Sequence, residues 1–481
     1  MAENLKEKTA KGLFWGMLNN GTTQVLNLII GIFLGRLLSP EDYGITGVLA
    51  IFIALAGDLQ SAGFTQALIN IKHPADRDYN SVFWFNVLVS IALYALLFLC
   101  APWIALFFHQ PVLTDVSRLL FLAFVISSLG IAHAAYLAKN LLVREQAIAG
   151  IVGLVCSGTT GIILAWRGMA YWALVWQQLV YISVVNVVRL HYSRWRPSLN
   201  IDFGPVRRMF PFAVNLLGTK ILTTLSQNIL TFIFGRMLPI HAVGNFSQAN
   251  KWNGMGHALV SGTVQQVAQP VLAAIADDDE REVRVFRKLL RFTSFLAFPA
   301  MLGLALVAHE FIVLTVGEQW LGCVPLLRML CIGGAFMPIY TMYQNLVISK
   351  GRSDIYLWCS AIQMVLQIAL VLLFATHGIT VMVAVYTLFN IGYLLVWHWQ
   401  TQRTLHLPLL HVLKDMAPFL LAAAAVMAVT YAATVWIRQE VVLFVCRVLL
   451  ATVLYVGIMK LAKAEILEEC LRFMAKKHRQ P

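Results

Sequence analysis

Apolar and polar positions alternate along this chain on the scale of whole segments: long apolar runs are separated by short polar turns. Fourteen runs stand out, near 12–35, 44–70, 81–107, 117–138, 147–166, 169–189, 211–235, 244–275, 290–316, 321–349, 355–376, 379–400, 415–437 and 440–460. Each is about twenty residues or more, enough for a helix rising ~1.5 Å per residue to cross ~30 Å of hydrocarbon. The runs are continuous, not alternating, which excludes the strands of a membrane β-barrel. The expected fold is therefore an all-α polytopic membrane protein with about 14 transmembrane helices. The runs at 244–275 and 321–349 exceed one straight crossing and are expected to bend or to project from the bilayer.

The pattern also repeats. Gly35-Arg36-Leu37-Leu38 returns as Gly235-Arg236-Met237-Leu238, and Gly44 returns as Gly244. At the same offset Asn20 falls on Lys220, Gln24 on Thr224 and Asn27 on Gln227. Gly168 and Gly378, each opening a later run, give a weaker echo. A duplication of this kind predicts two pseudo-symmetric six-helix lobes plus two C-terminal helices. The longest polar connection, HYSRWRPSLNIDFGPVRR, falls where a linker between the lobes belongs. The expected organisation is a first lobe over 1–190, a cytoplasmic linker over 191–210, a second lobe over 211–400, helices 13 and 14 over 401–460, and a basic tail over 461–481. An even number of spans per lobe relates the lobes through an axis along the membrane normal. The tail suits either a short amphipathic helix on the inner leaflet or a disordered basic end.

Composition agrees with the membrane reading: 59% of the 481 residues are hydrophobic and 12% charged, against about 25% charged in a soluble domain. The opening MAENLKEKTAKG is too polar for a secretory leader. The net charge of +13 sits in the turns, so it signals topology and not a nucleic-acid partner. With the N-terminus inside, inner segments hold 27 of the 36 Lys and Arg, outer turns hold five, and four lie within runs. That asymmetry predicts that both ends are cytoplasmic. The seven cysteines lie mostly in apolar runs without a CxxC pair, as buried small side chains do.

No phosphate-binding, hydrolase or metalloprotease motif occurs, so neither an enzyme nor a built-in ATPase is expected, and no cofactor. Candidate chemistry lies in the polar residues inside the runs, where ionisable groups are costly and mark a pathway or a partner. They are Asp58, Lys220 (about ten residues into its run), Lys251, Glu310 and Arg328; Arg447 is expected to snorkel or pair. Asn20, Gln24 and Asn27 share one helical face, as do Lys220, Thr224 and Gln227. Asp58 corresponds to position 258, on the face of Lys251. These faces predict a polar cleft between the lobes. Lys220, Lys251 and Arg328 would meet an anionic head group, since ammonium and guanidinium groups pair with phosphate oxygens. Asn20, Gln24, Asn27 and Gln227 would line the cleft, and Asp58 and Glu310 are the candidate ion-coupling acids. Trp252 offers a face for a sugar. The same residues also suit helix-to-helix hydrogen bonds and snorkelling lysines.

The opening LKEKTAKGLFWG, the turn GRLLSPEDYG, the stretch GDLQSAGFTQALI and the later VPLLRMLCIGG resemble the O-antigen and colanic-acid-type flippases, a branch of the multidrug/oligosaccharidyl-lipid/polysaccharide exporter superfamily. The resemblance spans essentially the whole chain. It implies movement of an undecaprenyl-pyrophosphate-linked oligosaccharide between leaflets of the bacterial inner membrane by alternating access, without enzymatic chemistry. It also implies membrane lipids, a polysaccharide polymerase and glycosyltransferases as partners, and a monomeric transporter. The first half lacks the midspan arginines of lipid II flippases, which sets it apart from peptidoglycan-precursor transport. An ion-coupled exporter of organic cations from the same superfamily is the alternative; it calls for an acid-rich site, whereas Asp58 is the single deep acid here.

Overall fold

The protein is described by a computed structural model covering residues 2–468 apart from 73, 200, 276, 277 and 465. The basic tail beyond 468 lies outside the described residues. The described chain is helical, with no strand among the described residues. The helices are α1 (Ala2–Leu37), α2 (Pro40–Asn70), α3 (Asp76–Phe108), α4 (Leu113–Lys139), α5 (Val143–Trp166), α6 (Trp172–Tyr192), α7 (Gly204–Met237), α8 (Ile240–Ala274), α9 (Asp279–Leu306), α10 (Ala308–Thr315), α11 (Cys323–Gly334), α12 (Met337–Ser349), α13 (Ser353–Leu373), α14 (Ile379–Leu405), α15 (Leu409–Thr434) and α16 (Glu440–Leu461). Among the described residues, ten segments are long and apolar enough to cross a membrane. The chain is a polytopic helical membrane protein.

Each apolar run of the sequence falls on helix. Run 290–316 is interrupted at Val307, between α9 and α10. Run 321–349 is interrupted at Ala335-Phe336, after Gly333-Gly334 and ahead of Pro338. Glycine weakens the end of α11, and proline is tolerated only in the first turn of α12. Run 244–275 behaves differently and stays one continuous helix of 35 residues. At ~1.5 Å per residue that exceeds a straight crossing of ~30 Å.

The chain forms two compact units, Met1–Gly244 and Asn245–Pro481. In the first, α1 lies against α5, where Gly158 leaves room for Ile30, and α5 against α6, where Gly153 faces Val185. Ser90 of α3 donates to Ser128 of α4 at 3.0 Å. The helix α7 runs along α2, and small residues permit the approach: Gly63 meets Ala213, and Gly235 meets Val48. The repeat and the compact units therefore divide the chain differently. The second copy starts with α7, which is housed in the first unit.

The connection before α7 is held on that unit's surface. Trp195 is buried among Phe83, Tyr79 and His133. Trp84 donates to the Ser198 carbonyl at 2.7 Å, and the Ser198 amide donates to Asn80 at 2.9 Å. Arg77 pairs with Asp202, and that hydrogen bond, with one from the Gly204 amide, holds the Asp202 carboxyl below its usual pKa.

In the second unit α9 is bound to α15 at one end by Arg287, which donates to both oxygens of Asp415 at 2.6 and 3.1 Å, with Arg291 3.5 Å from the same carboxylate. Further along, Phe295 stacks edge-on against Phe419, and Tyr455 of α16 donates to the Phe295 carbonyl at 3.0 Å. The helices α12, α13 and α14 share a polar network. Tyr340 donates to Gln363, Gln363 to Asn390 at 2.7 Å, and Asn390 to the Tyr386 carbonyl at 2.9 Å.

Candidate functional site

The duplicated turn is where sequence and structure coincide most closely. Helix α1 ends at Leu37 and α2 begins at Pro40; two hundred residues on, α7 ends at Met237 and α8 begins at Ile240. The weaker echo also has a backbone counterpart, since Gly168 and Gly378 both adopt positive φ, +79° and +85°. The two copies of the turn touch within the first unit, and reciprocally. A methyl on Gly44 would stand 2.2 Å from the Ile240 carbonyl oxygen, and one on Gly244 1.7 Å from that of Pro40. Glycine at both positions is thus a steric requirement.

The copies differ at their caps. Ser39 opens α2 with a reciprocal capping box: the Ser39 amide donates to Asp42 at 2.9 Å, and the Asp42 amide to the Ser39 hydroxyl at 3.3 Å. In the second copy these positions are Pro239 and Ala242, so the box is gone.

Below the turns lie the polar faces. Thr224 of α7 donates its hydroxyl to the carboxylate of Asp58 on α2, a contact between polar positions that the sequence had not paired. Lys220, one turn before Thr224, is exposed, and so is Gln227. On α1, Asn20 is exposed while Gln24 and Asn27 are half-buried. Among the described residues none of these five side chains makes a hydrogen bond or ion pair. They are accordingly not the adhesive between described helices that Asn and Gln in membrane spans so often are. An exposed ammonium without a carboxylate partner can accept an anion without first breaking an internal bond.

The second unit holds the remaining candidates. Lys251 is half-buried on α8, its ammonium 5.5 Å from the Trp252 ring centre, within cation–π range. Trp252 itself is 2% exposed and meets Phe311 edge-on at 5.1 Å. Its ring is enclosed by protein and offers no face to a sugar, which corrects the sequence reading. Arg328 is exposed on α11 without an ion pair among the described residues.

Glu310, a candidate ion-coupling acid in the sequence, is engaged in an ion pair. It is buried on α10 and accepts from Arg447 of α16 at 2.7 Å. Arg447 also donates to Thr434 at 3.2 Å and to the Leu306 carbonyl at 3.4 Å. The pair edges an apolar cavity of about 570 Å³ bordered by α9, α15 and α16, where Arg447 is the charged lining residue. Of the two sequence expectations for Arg447, pairing holds. The pair and the Tyr340–Gln363–Asn390 network were not assembled from the sequence; isolated polar residues inside apolar runs, such as Gln363 and Gln367, were the available signal. No group of three or more potential metal ligands occurs among the described residues, and the described cysteines are free, Cys323, Cys331 and Cys359 being buried.

This arrangement, long apolar helices with a duplicated turn, is that of a multi-pass helical membrane protein. Solved structures share it. The lipid II flippase MurJ in its inward closed conformation matches with a TM-score of 0.77 over 95% of this chain and 100% of that one, at 15% identity. An inward-facing multidrug resistance MATE family transporter of the MOP superfamily matches at 0.60 over 84% and 95%, at 16% identity. Among relatives by sequence, an uncharacterized membrane protein in the cps region of Klebsiella pneumoniae is 26% identical over 78% of this chain and 77% of its own length. The lipopolysaccharide biosynthesis protein WzxC of Escherichia coli is 26% identical over 73% and 72%. The teichuronic acid biosynthesis protein TuaB of Bacillus subtilis is 23% identical over 88% of each. The polysaccharide biosynthesis protein family matches residues 33–325, more than half of the chain, and the chain belongs to that family.

Proposed function

We propose that this protein is a flippase of the bacterial inner membrane that carries an undecaprenyl-pyrophosphate-linked oligosaccharide, a repeat unit of O-antigen, exopolysaccharide or capsule, from the inner to the outer leaflet by alternating access. The observation that carries the reading is Lys220: an exposed ammonium along α7, with no acid partner among the described residues, in a chain of the polysaccharide biosynthesis family. Head-group contacts are assigned to Lys220 in the first unit and to Lys251 and Arg328 in the second. Asn20, Gln24, Asn27 and Gln227 supply neutral hydrogen-bonding capacity for phosphate or sugar oxygens. Fourteen spans, in two six-helix lobes and a terminal pair, place both ends inside under the Lys and Arg asymmetry. A glycan polymerase and glycosyltransferases are the working partners of a monomeric transporter.

An organic-cation exporter needs accessible carboxylates, and the two intramembrane candidates are engaged. Asp58 accepts from Thr224, and Glu310 is committed to Arg447. The deciding experiment removes the protein from its host and identifies the lipid-linked glycan that accumulates. The reading expects a complete pyrophosphate-linked repeat unit retained on the cytoplasmic face. Unchanged lipid-linked pools together with heightened sensitivity to cationic drugs would overturn it in favour of the exporter.

A further inference from the structure

The first unit carries a second feature that the transport reading leaves unused. Between α3 and α7 lies a groove of about 600 Å³, within the range of about 300–1,000 Å³ typical of ligand clefts. Phe85, Leu88, Val89, Ala92, Val206 and Phe210 form its apolar walls, and Arg207 is its charged lining residue. Three arginines cluster at this end of α3 and α7, and two are committed. Arg77 pairs with Asp202, and Arg208 lies 3.6 Å from Asp78. Arg207 is exposed and has no ion-pair partner among the described residues. Pro211 sits four residues on in α7 and also lines the groove. It has no N–H to give the Arg207 carbonyl, so the same residue presents a guanidinium and a carbonyl freed from its helical donor.

We propose that this groove is a binding site for an anionic glycerophospholipid, its acyl chain along the apolar wall and its phosphate on Arg207. The charge distribution decides the occupant. The cavity at Arg447 has a similar size and apolar lining, but its guanidinium is already neutralised by Glu310. At Arg207 the missing counter-charge has to come from the ligand, and a guanidinium fork matches two phosphate oxygens. The freed carbonyl accepts from a head-group hydroxyl, which suits phosphatidylglycerol. Under the Lys and Arg asymmetry this end of the helices faces the inner leaflet, so the lipid is a resident of that leaflet, distinct from the transported substrate.

The test equilibrates purified protein with vesicles of equal phosphatidylglycerol and phosphatidylcholine, re-isolates it in mild detergent and quantifies the retained lipids by mass spectrometry. Wild type should be enriched in phosphatidylglycerol about tenfold, the measure of one charge-assisted contact. Arg207→Ala should lose the enrichment, and Arg207→Lys should keep part of it. Ala92→Trp, which fills the groove from an exposed position and leaves Arg207 in place, should lose it as well; Leu88→Trp fills it from the neighbouring turn should Ala92→Trp not fold. Enrichment unchanged in Arg207→Ala would overturn the site. Loss in Arg207→Ala but full retention in both filling variants would reduce it to surface charge, and displacement of phosphatidylglycerol by equimolar decaprenyl phosphate would hand the groove to the substrate.

Discussion

The two copies of the repeat, α1–α2 and α7–α8, share the position of their turn and differ in chemistry. Both break at the same point of the pattern, and both need glycine where the turns meet. The first copy is capped by Ser39 and Asp42 and presents a neutral stripe of Asn20, Gln24 and Asn27; the second has Pro239 and Ala242 at the cap and presents Lys220, Thr224 and Gln227. Contacts between backbones leave little freedom, because a single methyl collides. Residues facing open space are free to diverge, and charge is what diverged. The duplication supplies a frame, and the proposed head-group contact at Lys220 rests on the difference between the copies.

Wedging the shared contact should have the largest effect. Gly244→Val and Gly44→Val each drive a side chain into backbone, beyond the ~1–3 kcal/mol of ordinary overpacking, and should abolish the monodisperse protein peak on size exclusion. Gly21→Ala, with nothing within 4 Å, should leave that peak intact and serve as the control. Next comes the divergent stripe. Lys220→Ala removes a charge-assisted contact of about 1.5–3 kcal/mol and should weaken binding of a polyprenyl-pyrophosphate probe about ten- to a hundredfold; Asn20→Ala should change it less than about threefold, as a neutral contact of roughly 0.5 kcal/mol would. Thr224→Val leaves the half-buried Asp58 carboxylate without its donor and should lower stability by about 1–3 kcal/mol in a thermal melt. Asp58→Asn keeps a hydrogen-bond acceptor for Thr224, so transport that loses gradient dependence without loss of stability would identify Asp58 as a coupling acid. The cap should give the smallest effect. Ser39→Ala should cost about 1 kcal/mol, whereas Pro239→Ala removes no side-chain cap and should leave the melting temperature nearly unchanged.

Much of this was legible in the sequence because it is local or periodic. Helix positions follow from apolar run length and the turn from its repeated residues, whereas the hydrogen bond from Thr224 to Asp58 came from the structure. Contacts between distant, unpatterned residues were not legible. Glu310 and Arg447 lie 137 positions apart, and nothing in either neighbourhood points to the other, so Glu310 read as a candidate ion-coupling acid. Trp252 beside Lys251 read as a sugar platform because adjacency does not reveal burial; Phe311, on another helix, encloses it. The connection before α7 read as a plain linker, since its attachment depends on Trp195 entering a cluster to which α2, α3, α4 and α7 contribute.

In the proposed mechanism the second copy's cation, Lys220, recognises the anionic head group. Its most direct test is a charge series at Lys220 and its counterpart Asn20, read as delivery of lipid-linked oligosaccharide to the outer leaflet in cells matched for membrane-inserted protein. Lys220→Arg should retain delivery, Lys220→Glu should abolish it, and Asn20→Lys combined with Lys220→Asn should restore part of it. Normal delivery by Lys220→Glu would show that Lys220 does not contact the head group.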